Sequence, residues 1–99
     1  MGANFIWDPE KARRNLLKHR IAFEDAVRVF LDRHQISEIE SYVDGEERWR
    51  TIGMMNGEVV VLVIHTTLDL EDGELIRIIS ARRADRKERR YYEENYGSL

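Results

Sequence analysis

A chain of 99 residues, 42% hydrophobic and 35% charged, is long enough for one small core and too short for two. It has no cysteine, which excludes a disulfide framework, thiolate chemistry and a zinc ribbon. The net charge of −3 is unevenly spread: Arg82 to Arg90 holds six basic and two acidic residues and the remainder ten basic and seventeen acidic, so an acidic chain carries a local cationic stretch.

In chain order, Phe5-Ile6-Trp7 is a short apolar segment, either a brief strand or a hydrophobic lid. Asp8-Pro9-Glu10 reads as a helix start: Asp8 caps free amides, Pro9 suits the first helical position and Glu10 favours the positive helix end. The helix is expected to run from Pro9 to about His19, with Ala12, Leu16 and His19 inward and Lys11, Arg13, Arg14 and Lys18 toward solvent. Beyond Ile21, the segment Phe23 to Leu31 predicts a second amphipathic helix and hence a helical hairpin.

Ile36 to Tyr42 is a weakly patterned strand, and Asp44-Gly45 marks a turn. Arg48 to Met55 predicts a strand in which Trp49, Thr51 and Gly53 alternate with Arg48, Arg50 and Ile52. Asn56-Gly57 is a hairpin signal leading to a strand from Glu58 to Thr67, whose apolar run Val59 to Ile64 implies burial on both faces and a central place in the sheet. An acidic loop, Leu68 to Gly73, precedes the strand Glu74 to Arg82 and a last helix from Ala84 to about Tyr96. The expected fold class is α+β, one domain over residues 1–99, with a four-stranded antiparallel meander, an N-terminal helical hairpin and a C-terminal helix. The longest apolar run is far too short to cross a bilayer, and the N-terminus lacks signal-peptide and myristoylation patterns, so a cytoplasmic protein without membrane partners is expected.

The chemistry-bearing residues are mostly cationic. Arg77 interrupts an apolar strand on the parity of Ile79 and Ala81, where it requires either an acidic partner on another strand or a phosphate in a cleft. Arg82 and Arg83 stand where a strand passes into a helix, and Arg83, Arg86 and Arg90 gather on one side of that helix. Arg48 and Arg50 share a parity, preceded by Glu46 and Glu47. His65 on an apolar strand is either a satisfied core histidine or a proton shuttle. Tyr91, Tyr92, Tyr96 and Trp49 are either packing residues or stacking platforms for unpaired bases. His19, His34 and His65 are scattered without ligand spacing, and no phosphate-cradling glycine loop is present, so neither a metal nor a cofactor is expected.

Several stretches together resemble the BrnT toxin family. They are Phe5-Ile6-Trp7-Asp8 leading to Lys11 and Asn15, Lys18-His19, Phe23-Glu24-Asp25-Ala26 with Val29-Phe30, Glu47-Arg48 with Ile52-Gly53, and Ile76-Arg77-Ile78-Ile79-Ser80-Ala81-Arg82 with Glu88-Arg89 and Tyr91-Tyr92. The resemblance implies a RelE-like, metal-independent ribonuclease toxin of a type II toxin–antitoxin pair. Its partners would be a BrnA-like antitoxin and RNA, with DNA reached only through the antitoxin. Cleavage would proceed by activating a ribose 2′-hydroxyl against the adjacent phosphate. On that reading Arg48, Arg77 and Arg82 hold phosphate, Glu47 is the first candidate base, and Tyr92 or His65 assists proton transfer or stacking. Arg50, Arg83, Arg86, Arg90 and Trp49 are then RNA-binding residues. A different class, a non-catalytic module that docks an acidic protein or nucleic acid through its basic patch, fits the same charges. Two departures from the family pattern sit at the first bend: Arg20 where the family usually has Gly, and Ala22 where it usually has a Ser or Thr cap.

Overall fold

The structure, a computed structural model, describes residues 2–97; the side chain of Tyr96, considered above for stacking, lies outside the described residues. Five strands form one sheet: β1 (Ala3–Ile6), β2 (Ile36–Val43), β3 (Glu46–Met55), β4 (Val59–Leu70) and β5 (Gly73–Arg83), in the order β1-β5-β4-β3-β2. Helices α1 (Pro9–His19) and α2 (Phe23–Ala26), the latter continued by a 3-10 segment Val27–Leu31, precede β2, and α3 (Arg86–Gly97) follows β5.

The expected four-stranded antiparallel sheet is thus a five-stranded mixed one. The apolar N-terminal segment adds β1 parallel to β5, pairing Ala3 to Ile6 with Glu74 to Arg77. Those four residues satisfy backbone groups of β5 that would otherwise be left at an edge beside the buried Ile76. The other pairs are antiparallel, and β4 takes the central position that its apolar run predicts.

Alternation along the strands sorts the core into two clusters. One face carries Val61, Val63, Ile76, Ile78 and Ala81 against Ile21, Phe23, Ala26 and Val29 of the N-terminal helical region. The opposite face carries Ile52, Val60 and Leu62 against Ala84 and Tyr92. Helices therefore lie on both sides of the sheet, but α3 covers only one end of its face, and the other end of that face stays open. Gly53 lets β3 and the 3-10 segment approach closely: a Cβ there would stand 2.8 Å from Val29 Cγ1 and 3.1 Å from Val29 O.

The helices differ in part from the sequence reading: Ala12 packs against the core and His19 is half-buried as expected, but Leu16 is not inward. In α1 the buried residue is Asn15, while Leu16, expected inward, is 47% exposed. Asn15 takes the inner position because its amide is completely used there. Its Nδ2 donates to Ile21 O at 3.0 Å and Ala81 O at 2.8 Å, and its Oδ1 accepts the Ala81 N–H at 3.1 Å. The second helix is α-helical only over Phe23–Ala26, then tightens to 3-10 geometry. α3 begins at Arg86 rather than Ala84, because Asp85 and Glu88 form a reciprocal cap: Glu88 N–H donates to Asp85 Oδ1 at 2.8 Å and Asp85 N–H to Glu88 Oε1 at 2.9 Å.

Arg20 ends α1 in the left-handed region, φ 61° and ψ 28°, with its N–H on Leu16 O. Ala22 starts α2 with no side-chain cap. Arg20→Gly is expected to raise stability by about 0.5–1 kcal/mol by relieving the positive φ, and Ala22→Ser by about 1 kcal/mol through a new cap. Urea unfolding of each single variant and of the pair checks this, with a fall in midpoint for either contradicting the assignment.

Candidate functional site

The arginines are brought together by one irregularity. Between Ile64↔Ser80 and His65↔Ile78 the β4–β5 register shifts, which leaves Ile79 as an extra residue in β5. Arg77 and Arg82 are an odd number of residues apart and would face opposite sides of a regular strand. With the bulge they pair with Thr66 and Leu62, residues of the same β4 parity, and so share a face. This also corrects the parity assigned from sequence, since Arg77 lies on the side opposite to Ala81. On β3 the residues of that same face are Glu46, Arg48, Arg50 and Ile52.

Four guanidinium groups, Arg48, Arg50, Arg77 and Arg82, thus stand on the face that α3 covers only in part. Carboxylates organise them. Arg77 Nη2 reaches over β4 to Glu46 Oε1 at 2.8 Å, and Arg48 Nε lies 3.9 Å from the same oxygen. Arg82 makes a bidentate pair with Glu88 at 2.8 and 2.9 Å, and Arg50 lies 3.5 Å from Glu88 and from Glu40. The hydrogen bonds to Arg82 hold the Glu88 carboxyl below its ordinary range despite partial burial, and Glu88 in turn raises the Arg82 guanidinium. The Nε–H groups of Arg48 and Arg50 are buried without an acceptor within hydrogen-bond distance, so both side chains retain donor capacity. A cleft of about 290 Å³ opens beside Arg77, Glu46 and Glu47, walled by Ile6, Thr66, Thr67, Leu68 and Leu75.

Of the remaining residues proposed from sequence, Glu47 lines that cleft as well as a second cavity, and the others lie elsewhere. Glu47, Trp49 and His65 line a separate cavity of about 460 Å³ on the opposite face, with Ser37, Thr67 and Phe30. His65 is 3% exposed there. Its Nε2 is 2.7 Å from Thr51 Oγ1, which is itself 2.7 Å from Ser37 Oγ, and its Nδ1 is 3.1 Å from Thr67 Oγ1. Phe30 meets the imidazole edge-on at 5.0 Å. Burial pushes the His65 pKa down to about 4, so the ring is neutral at pH 7. Tyr92 is buried under α3, and its hydroxyl donates to Asp32 Oδ2 at 2.5 Å. Burial acts to raise the Asp32 pKa, but the Tyr92 hydroxyl and the Met54 and His34 amides more than offset it and leave it lowered. Arg83, Arg86 and Arg90 are exposed at and beyond the end of β5.

Glu46 was not singled out from sequence, although alternation alone places it with Arg48 and Arg50 and places Glu47 with Trp49. Among the described residues no group of His, Asp and Glu is arranged to hold a metal ion, and no helix is long and apolar enough to cross a membrane.

A family model described as "Ribonuclease toxin, BrnT, of type II toxin-antitoxin system" matches residues 7–88. The crystal structure of the Brucella abortus ribonuclease toxin BrnT is similar, with 28% sequence identity and a TM-score of 0.61 over 87% of this chain and 99% of that one. No curated protein matches.

Burial of His65 gives stability a pH dependence of its own. Between about pH 6.5 and 4 the unfolded chain binds a proton that the folded chain does not, so unfolding is favoured as the pH falls through that window. The expected loss is roughly 2–3 kcal/mol by pH 4. Unfolding by urea at pH 7, 5.5 and 4 measures it, and an imidazole titrating near 6.5 by NMR would contradict it.

Proposed function

The chain belongs to the BrnT family of ribonuclease toxins of type II toxin–antitoxin systems, and from that membership we propose that it cleaves RNA on the arginine-bearing face of its sheet. The observation that supports this site is the convergence of Arg48, Arg50, Arg77 and Arg82 on one open face. Guanidinium forks match two phosphate oxygens at once and keep their charge at every working pH. With that charge in place we read the reaction as metal-independent.

The proposed step transfers the phosphate within the RNA. A carboxylate takes the 2′-hydroxyl proton, O2′ bonds to the adjacent phosphorus, and the P–O5′ bond breaks as the 5′-oxygen leaves with a proton from solvent. The arginines hold the phosphate and the charge that develops on its equatorial oxygens. We assign the base to Glu46 rather than to the Glu47 of the sequence reading, because Glu46 shares the arginine face and sits against Arg77. Glu88 is a poorer candidate, since it is fixed by Arg82 and by the Asp85 amide. Tyr92 and His65 serve the core in this reading, and the exposed Arg83, Arg86 and Arg90 bind the substrate backbone. Trp49 faces the other cavity and is not part of the cleavage site.

The biological setting follows from the family and is part of the proposal: a RelE-like toxin acting in the cytoplasm to inhibit translation, neutralised by a BrnA-like antitoxin whose acidic segment covers the arginines. One observation favours the alternative of a non-catalytic docking module, namely that each of the four arginines already faces a carboxylate. RNA turnover by the purified protein separates the two readings.

Arg77→Ala is expected to lower the cleavage rate about 10²–10³-fold with little change in stability. Glu46→Gln should lower it about 10²–10⁴-fold. Single-turnover cleavage of a short RNA reads both, and a deficit in Glu47→Gln instead of Glu46→Gln would move the base to Glu47, which lines the same cleft.

A further inference from the structure

Helix α1 carries a second cationic surface that the arginine face does not include. Lys11, Arg14, Asn15 and Lys18 recur at the spacing that puts residues on one side of a helix, and with His19 they line a groove of about 290 Å³ whose other wall is Ile79 and Ser80. No carboxylate lines this groove. The acidic residue of the first helical turn, Glu10, is hydrogen-bonded by Arg13 at 2.6 and 3.0 Å and acts on Arg14 only through its charge. Lys11, Arg14 and Lys18 are exposed, and none forms an ion pair among the described residues.

The groove exists because of two features already described. β1 ends at Ile6, opposite Arg77, so beyond that point β5 has no strand on its outer side. Asn15 instead ties α1 to Ala81 of β5, and the bulge at Ile79 forms the wall next to it. A smaller depression of about 230 Å³ joins the two regions: Arg77, Ile78 and Ile79 line it together with Lys11 and Asp8, the Asp8 carboxylate there being engaged by the Glu10 amide at 2.8 Å. The cationic surface is therefore continuous from Arg77 across the edge of the sheet and along α1 for about 10 Å.

We propose that this α1–β5 groove is a phosphate-binding subsite that carries the RNA strand on one side of the cleaved bond, through Lys11, Arg14, Lys18 and His19. The inference rests on the ribonuclease reading for the direction of the strand, but the groove's affinity for single-stranded nucleic acid is measurable without cleavage. Its continuity with Arg77, its run of cations and the engagement of the Asn15 amide by Ile21 and Ala81 suit a sequence-tolerant backbone track rather than a specific pocket.

The test uses a non-cleavable 2′-O-methyl RNA of about ten nucleotides and the full chain. Wild type, the triple variant Lys11→Gln/Arg14→Gln/Lys18→Gln, the variant Arg13→Gln on the other side of α1, and Arg77→Ala are compared over a range of salt. The triple variant should bind about tenfold or more weakly, and its slope of log affinity against log salt should be shallower by about 2 than that of wild type. Arg13→Gln should bind like wild type, and unchanged thermal unfolding shows that the helix has kept its place. On a cleavable RNA the triple variant should raise KM and leave kcat within about twofold, whereas Arg77→Ala acts on kcat. An unchanged affinity and salt slope in the triple variant would overturn the subsite. Absence of RNA cleavage by wild type, with salt-dependent binding still lost in the triple variant, would reject the ribonuclease reading and leave the subsite standing.

Discussion

The geometry of this molecule depends on the single extra residue at Ile79. A regular β5 would send Arg77 and Arg82 to opposite sides of the sheet, and either one would enter a core layer without a carboxylate to meet it. The bulge reverses the parity of the strand midway, so that Ile76, Ile78 and Ala81 remain on the helical face while Arg77 and Arg82 remain on the open one. A bulge leaves backbone groups out of register, and the strand at this point has lost β1 as a neighbour. Asn15 fits that need: one side chain satisfies both backbone groups of Ala81 and at the same time fixes where α1 lies. A polar residue at the inner position of α1 is therefore the counterpart of an irregularity in β5.

The ion pairs on the open face are of two kinds, and the difference bears on function. Arg82 and Glu88 are joined by two hydrogen bonds, and Glu88, only 12% exposed, also accepts the Asp85 amide. Displacing that carboxylate would loosen the first turn of α3 together with the arginine, so Arg82 is held in one orientation. Arg77 and Glu46 are each more than 40% exposed and joined by one hydrogen bond. Exposed pairs of this kind contribute on the order of 0–1 kcal/mol, little enough for a phosphate group to take the place of the carboxylate. The face thus presents one fixed guanidinium and one exchangeable one, an arrangement suited to orienting a phosphate and then releasing it.

Much of this was readable from residue order. The alternation of β3, the Asn-Gly turn, the apolar run of β4 and the Asp8 cap of α1 are local signals, and each element formed where they lie. What escaped the sequence is non-local. β1 is too short to show a period, and it is a strand only because β5 offers an edge. The bulge at Ile79 leaves no mark in a run of isoleucines, so the side on which Arg77 emerges was assigned wrongly. Leu16 outranks Asn15 on any hydrophobicity scale, and only the partners at Ile21 and Ala81 reverse that order. Glu46 is a different case: its parity with Arg48 is present in the sequence, but the adjacent Glu47 carries the same chemistry and residue order alone does not rank the two.

The sheet also separates two electrostatic environments that composition merges into a net charge of −3. The arginines and the α1 cations occupy one face and the adjoining edge. Glu47, Asp69 and Glu74 line the cavity on the other face, around a histidine kept neutral by burial. Glu38, Glu40, Glu46 and Glu88 stand among those arginines, so the open face holds its cations in local pairs rather than as one positive field. An overall negative charge weakens non-specific adsorption to nucleic acid at long range, leaving affinity to the groups within reach of the bound strand. Where the cations stand on this face is determined by the bulge in β5 and its clamp by Asn15.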